Sequence, residues 1–277
     1  MSVVVKIGGA SAVEPAGALA DIASIATETE IVVVHGGSTA VDETLDAMGI
    51  APEYVETPAG VVGRFTDAET MAAFTMAMAG RVNTNLVAGL RDAGADAVGL
   101  SGVDGGLLTG PRKSAVRVSD GEKQRIRRGD HAGRIESVRT ALLESLLAMD
   151  ATPVVGPPML ADDGVAVNTD ADRASAAVAG ALSARLVSLT DVSGVYADPE
   201  DPATLIEQVD SDEGFERLQA AATGFMTRKV MAAREALTDG ASEVIIADAN
   251  AERPVSQALD GEGTRILGTA VQEVSSQ

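Results

Sequence analysis

Ser2-Val3-Val4-Val5-Lys6-Ile7-Gly8-Gly9-Ala10-Ser11 is the stretch on which the reading of the chain turns. Its β-branched residues favour a pleated environment, and an unbroken apolar run without alternation points to a parallel strand covered by helices on both faces. A lysine at the end of such a strand cannot be buried unpaired, so it reaches solvent or holds an anion. The two glycines let backbone N–H groups approach a ligand at a strand-to-helix turn, where the helix dipole also favours negative charge. Taken alone, the stretch is equally well a plain tight turn.

The same form returns at once. Ala16 to Thr27 carries Leu19, Ile22 and Ile25 at helical spacing, and Glu30 to His35 is a second strand, ending in Gly36-Gly37-Ser38. Two such units in succession describe a parallel α/β sheet with both glycine turns at one carboxyl edge, the edge where ligands bind. His35 reads as a packed or hydrogen-bonded strand-end residue rather than a catalyst.

Composition narrows the class. The net charge of −20 argues against nucleic acid or an anionic membrane as partner. Lysine is confined to Lys6, Lys113, Lys123 and Lys229 against 41 Asp and Glu, a balance resembling proteins adapted to molar salt, with an ordinary acidic enzyme as the alternative. With no cysteine there is no disulfide, thiolate nucleophile or cysteine zinc site. No signal-peptide pattern or membrane-length apolar run is seen, so a cytoplasmic protein is expected.

Further along, Glu53 to Phe65 reads as extended, with Arg64 either in a surface ion pair or clamping a substrate carboxylate. Thr66-Asp67-Ala68-Glu69 reads as a capping box before one long helix through Arg91, and Asp96 to Leu100 as a buried strand. Between Arg112 and Arg139 nine basic residues face four acidic ones, a local charge of +5 in an acidic chain. Ala115 to Ile126 reads as a hairpin in this segment, either a solvated ribbon or a surface that steers something acidic. Ser137 to Met149 reads as a helix and Thr152 to Gly156 as a strand closing on Pro157-Pro158. Gly164 to Asp170 leads into an alanine-rich helix, whose first turn Asp170 could serve simply by complementing the dipole. Arg185 to Thr190 and Glu243 to Ala247 read as strands, and Gly224 to Lys229 opens a helix through Asp239.

In their order, Lys-Ile-Gly-Gly at Lys6, Gly36-Gly37, Val167-Asn168-x-Asp170, Thr190-Asp191-Val192-x-Gly194-Val195-Tyr196 and Gly224-x-Met226-x-x-Lys229 resemble the amino acid kinase family over essentially the whole chain. The resemblance implies a three-layer α/β/α sandwich forming one domain, with a substrate half at 1–165 and a nucleotide half at 166–277. A homodimer, as is usual in the acetylglutamate kinase branch, is the implied assembly. Tyr54 to Phe74, Asp104 to Leu107, the Lys113 hairpin and Arg128-Gly129-Asp130 are most similar to family members that phosphorylate glutamate or α-aminoadipate attached to a small acidic amino-group carrier of the LysW type. That would give the basic ribbon a partner, met through Lys113, Arg117, Arg125, Arg127 and Arg128.

Carried over, the resemblance implies that Lys6 and Lys229 stabilise the transferring phosphoryl group and that Asp170 orients both. Gly8 and Gly9 would face the phosphates of ATP, and Thr190, Asp191, Gly194, Tyr196 and Met226 would line the nucleotide site. Gly36, Gly37, Arg64 and Asn168 would hold the substrate. The family often shows Asn-x-Asn-x-Asp, and here the first asparagine is Ala166, which leaves Asn168 as the substrate-side amide. Mg²⁺ would accompany ATP, held mainly by phosphates and water, since no protein metal-ligand cluster is evident. A carboxylate nucleophile is ionised at neutral pH, with a reference pKa of about 4.3, so no general base is needed and catalysis reduces to positioning and charge neutralisation. The rival readings are a kinase for free N-acetylglutamate and a non-catalytic nucleotide or amino acid sensor on the same fold.

Overall fold

The computed structural model describes residues 2–8, 15–58, 62–120 and 123–271. Its first half runs through β1 (Val3–Ile7), α1 (Pro15–Ile25), β2 (Ile31–His35), α2 (Ser38–Ala47), the hairpin β3 (Tyr54–Glu56) and β4 (Val62–Arg64), and α3 (Ala68–Thr75). A wide π-helical turn at Met76–Val82 joins α3 to α4 (Asn83–Asp92). There follow β5 (Ala97–Gly102), β6 (Leu108–Gly110), the long hairpin β7 (Arg112–Asp120) and β8 (Lys123–Gly133), β9 (Ser137–Val138), α5 (Thr140–Leu147), β10 (Thr152–Ala161) and β11 (Ala166–Val167). The second half runs through α6 (Ala171–Ala181), β12 (Arg185–Thr190), β13 (Gln208–Val209), α7 (Asp212–Ala221), α8 (Phe225–Thr238), β14 (Glu243–Asp248), α9 (Pro254–Asp260) and β15 (Thr264–Leu267).

Strand β1 is buried along its whole length and pairs in parallel with β12 on one side and β2 on the other. From this centre the main sheet extends through β12 to β14, β15 and β13, and through β2 to β10, which is flanked in turn by β5, β6 and β11. Pairing is parallel except at β14–β15, β10–β11 and β6–β9. The period of two along each strand sends Val4, Val32, Val34, Val155, Leu186 and Val244 into a core under α5, α6, α7 and α8. Their neighbours Val3, Val5, Ile7, Val33, Val154 and Val187 enter a second core under α1, α4 and α9. Each large side chain so buried contributes roughly 1.5–3 kcal/mol, and the sheet can be apolar on both faces because both are covered. The result is the expected three-layer α/β/α sandwich.

The same alternation aims the two polar residues at the carboxyl ends of the central strands. Lys6 shares the face of Val4, towards α6 and α8, whereas His35 shares that of Val33, towards α4.

Four details differ from the sequence reading. The α3 cap is Asp67, whose carboxylate accepts from Thr70 N at 2.8 Å, and Thr66 is not the first member of a capping box. Thr66 is buried and committed elsewhere, its N–H donating to Asp130 and its carbonyl accepting from His131 N. The long helix is continuous through Asp92 but widens at the π turn, where its packing changes: α3 packs with α2 in a small core of Val41, Leu45, Met71, Phe74 and Met78, and α4 packs under the sheet. Strand β10 continues past Pro157-Pro158 to Ala161, changing partners across the two residues that have no N–H to give. Ser137 and Val138 pair with β6 before α5 begins.

Candidate active site

Lys6 Nζ lies 2.6 Å from Asp172 Oδ1, and Lys229 Nζ lies 3.5 Å from the same oxygen. One lysine comes from the central strand and the other from the second turn of α8; the aspartate stands in the first turn of α6. α6 and α8 can approach closely because their facing residues are small, with Ala174, Ala179, Ala232, Ala233 and Ala236 all buried. At their far ends a Cβ on Gly180 would fall 2.6 Å from that of Asp239. Arg173–Glu235, at 3.3 Å, ties the outer faces of the two helices.

The electrostatics follow from two ammonium groups sharing one carboxylate in a nearly closed space. Burial works against the charge on Lys6, but the adjacent Asp172 overcomes it and holds its pKa above the ordinary lysine value. Lys229 is pushed down to about 8, by burial and by repulsion from Lys6. Burial also opposes the charge on Asp172, yet the two lysines keep it below the usual carboxylate range. Two positive charges against one negative leave a surplus of one, which an anion placed between the lysines would neutralise.

Asp170, expected to orient the lysines, does something else. It is the N-cap of α6, its Oδ1 accepting from Asp172 N at 2.9 Å and Arg173 N at 3.2 Å, while Oδ2 lies 3.9 Å from Arg228. A cap must sit just outside the first turn, so its side chain folds back on the helix end and favours the charge on Lys6 less strongly than Asp172 does. Asp172, two residues on, projects from the helix itself. This residue escaped the sequence reading, although Asp170-x-Asp172 offered two acids where one was sought.

On the side of β2, Gly36 N–H donates to Ile7 O at 3.0 Å, which uses up a donor expected for substrate. Gly37 follows as the residue preceding α2, and a Cβ there would lie 2.7 Å from Met78 Sδ in the π turn. The side chain of Arg64 is largely buried and is held by Asp42 at 2.6 Å, by the Ser38 carbonyl and hydroxyl at 3.1 Å, and by Tyr54 Oη at 3.0 Å. Its Nε is buried without a hydrogen-bond partner. Asn168 donates from Nδ2 to Thr66 Oγ1 at 3.0 Å, and its backbone N–H donates to His131 O. Asp130 accepts from Thr66 N, and burial raises its pKa against the opposing pull of that bond. The base of the long hairpin is therefore tied by hydrogen bonds to Thr66, two residues after Arg64, and to Asn168. His35 is fully buried, and burial pushes its pKa down to about 4 although the Gly36 carbonyl beside it pulls the other way.

On the side of β12, Thr190 Oγ1 donates to Asp191 at the strand end, and Gly194 packs against β15, where a Cβ would fall 2.6 Å from Thr264 Oγ1. Tyr196 bridges to Leu205, and Met226 packs on the core beside the exposed start of α8. Gly8 follows the carboxyl end of β1, and Gly9, the other glycine expected at the phosphates, lies outside the described residues. Among the described residues no cluster of acidic or histidine side chains could hold a metal ion.

The basic hairpin forms as expected, and its register divides the arginines. Arg117 pairs with Ile126 and Ala115 with Arg128, so Arg117, Ile126 and Arg128 share one face, all exposed, with Ile126 66% accessible. Lys113, also exposed, lies before a register shift in β7. Val116 opposite Arg127 and Val118 opposite Arg125 make the other face. Arg127, expected to meet a partner, is instead bound to both carboxylate oxygens of Glu53 and stacked 3.8 Å over the Phe65 ring.

A family model described as the amino acid kinase family matches residues 1–248. The chain belongs to the amino acid kinase family. As a member, it is 41% identical over 266 residues to a [LysW]-aminoadipate kinase of Thermus thermophilus, covering 95% of this chain and 98% of the relative. It is 40% identical over 264 residues to an acetylglutamate kinase of Methanopyrus kandleri, covering 94% and 98% respectively. Among solved structures, N-acetylglutamate synthase of Neisseria gonorrhoeae superposes with a TM-score of 0.75 at 25% identity; 96% of this amino acid kinase is matched, and it spans 59% of that longer chain. With Asp172 between the lysines, the family pattern Asn-x-Asn-x-Asp falls on Asn168-x-Asp170-x-Asp172. Its first asparagine is thus present as Asn168, Ala166 stands outside it, and the departure is the aspartate at 170.

Proposed function

We propose that the chain is an ATP-dependent kinase that phosphorylates the side-chain carboxylate of glutamate or α-aminoadipate carried by a small acidic protein of the LysW type, yielding an acyl phosphate for arginine or lysine biosynthesis. The observation that carries the reading is the convergence of Lys6 and Lys229 on Asp172 at the carboxyl edge of the central strand. The acceptor carboxylate oxygen attacks the γ-phosphorus, the bond to the β,γ-bridging oxygen breaks, and ADP leaves with the electron pair. The acceptor is already ionised, so the protein moves no proton in this step. Lys6 and Lys229 neutralise charge on the phosphoryl oxygens, and Asp172 keeps both ordered.

Residues 1–165 form the acceptor half and 166–277 the nucleotide half. Gly37, Arg64 and Asn168 hold the acceptor, with the unpartnered Arg64 Nε as a donor for its carboxylate. Gly8, Gly9, Thr190, Asp191, Gly194, Tyr196 and Met226 would surround ATP, and Mg²⁺ would be held mainly by its phosphates and water. Arg117 and Arg128, on the open face of the hairpin, meet the acidic carrier, Lys113 and Arg125 adding charge nearby. The protein works as a cytoplasmic homodimer without nucleic acid or membrane.

A second reading, free N-acetylglutamate as acceptor, is favoured by the near-equal identity to the acetylglutamate kinase relative. Its appeal weakens at the hairpin, since a small free acceptor gives the exposed cationic face nothing to bind. Coupled ADP release, measured with glutamyl- or aminoadipyl-carrier and with free N-acetylglutamate, separates the two. Turnover on the carrier is expected, and turnover on the free acid alone would replace the first reading by the second.

A further inference from the structure

The ring of His35 is enclosed at the end of β2 with two polar contacts. Nε2 lies 3.0 Å from Asn83 Nδ2, and Nδ1 lies 3.1 Å from Gly36 O. Asn83 also donates from Nδ2 to Val154 O at 2.9 Å and Leu100 O at 3.3 Å, so its amide nitrogen faces the ring and its orientation is determined by two backbone carbonyls. Nε2 must then accept, and Nδ1 carries the proton and donates to Gly36 O. A protonated ring would set two donors against each other at Asn83.

The neighbouring strands leave room for this pair. A Cβ on Gly156 would fall 2.3 Å from His35 Nε2, and one on Gly99 would fall 2.2 Å from Asn83 Oδ1. Asn83 begins α4 where the π turn ends, and that same turn supplies Met78, which limits Gly37 from above. The Gly36–Gly37 peptide thus has the His35 ring on its carbonyl side and Met78 beside Gly37.

We infer that His35, held neutral as its Nδ1–H form by Asn83, is a positioning residue that aims the Gly37 N–H into the substrate crevice. The reason lies in the peptide plane. In a trans peptide the carbonyl and the following N–H point in opposite directions. The Gly36 carbonyl is turned down onto the buried ring, so the Gly37 N–H is turned away from it. Gly36's own N–H is already spent on Ile7 O, which leaves the Gly37 peptide as the adjustable donor of this loop. The inference rests on the reading of this edge as the acceptor site.

Two measurements test it. His35→Phe keeps a flat ring but removes the donor; it is expected to raise KM for the carboxylate acceptor about tenfold, the worth of one lost hydrogen bond, with KM for ATP within about twofold. His35→Gln, which can still accept from Asn83, gives the same readout if the phenylalanine variant does not fold. An unchanged acceptor KM, or equal increases in both KM values, would overturn the proposal. Long-range ¹H–¹⁵N spectra of the full chain read the hydrogen-bond pattern independently, because the sequence has two histidines and His131→Gln assigns the second. A neutral Nδ1–H ring at pH 7 supports the proposal, and an Nε2–H ring or an imidazolium overturns it. Absence of acceptor turnover in the unsubstituted protein would instead remove the functional reading, with the ring spectra still deciding whether His35 holds Gly36.

Discussion

At the scale of single residues, Asp170 and Asp172 divide two tasks that lie two positions apart. Asp170 closes the end of α6, whereas Asp172 sits between two ammonium groups. Asp170→Ala is expected to cost about 1 kcal/mol of stability, the value of an N-cap, and to leave the pH profile in place. Asp172→Asn is expected to lower kcat by about a hundredfold, as loss of an organising charge in the reacting centre does. It also acts on the profile of kcat/KM, which reports the free enzyme. In the proposed mechanism Lys229 acts protonated, and burial with repulsion from Lys6 pushes its pKa down to about 8, so activity is expected to fall as pH rises through that value. Asp172 is what holds it that high, so the asparagine variant loses activity at lower pH. A profile that does not move in Asp172→Asn would separate this carboxylate from the lysines.

At the scale of elements, the hairpin shows how register turns a charge count into a surface. A net charge of +5 between Arg112 and Arg139 was legible in the sequence, and so was the hairpin. Which arginines face outward was not, because alternation assigns residues to faces only once the pairing of both arms is known. Arg117→Glu with Arg128→Glu is expected to raise KM for the carrier-linked acceptor about tenfold, less at high salt, with KM for ATP unchanged. Arg127→Glu should instead lower the unfolding midpoint, since it removes the Glu53 pair and the Phe65 stack. If reversing Arg117 and Arg128 leaves the carrier kinetics unaltered, this face is only a solvated surface.

At the scale of the whole molecule, 41 acidic side chains against 21 basic ones must share one surface. Their repulsion weakens as the Debye length contracts from about 10 Å at 0.1 M salt to about 3 Å at 1 M. The thermal unfolding midpoint is therefore expected to rise by about 5 °C or more between these concentrations of KCl. A midpoint that stays flat or falls would show that the acidic surface is not a salt adaptation. The same screening requires carrier recognition in strong salt to rest on short contacts, for which the exposed Ile126 between Arg117 and Arg128 provides an apolar centre.

Local rules in the sequence determined the layered sheet and the glycine turn after β2, and singled out Lys6 and Lys229. Each of these rests on a strand pattern, a turn chemistry or a residue's rarity, and none needs a distant partner. Tertiary structure alone decided that Asp172 rather than Asp170 lies between the lysines, that Arg127 is spent on Glu53, and that His35 meets Asn83. In all three cases the partners are brought together by packing between elements far apart in the chain, and a side chain with two plausible uses takes the one its helix face or strand register allows.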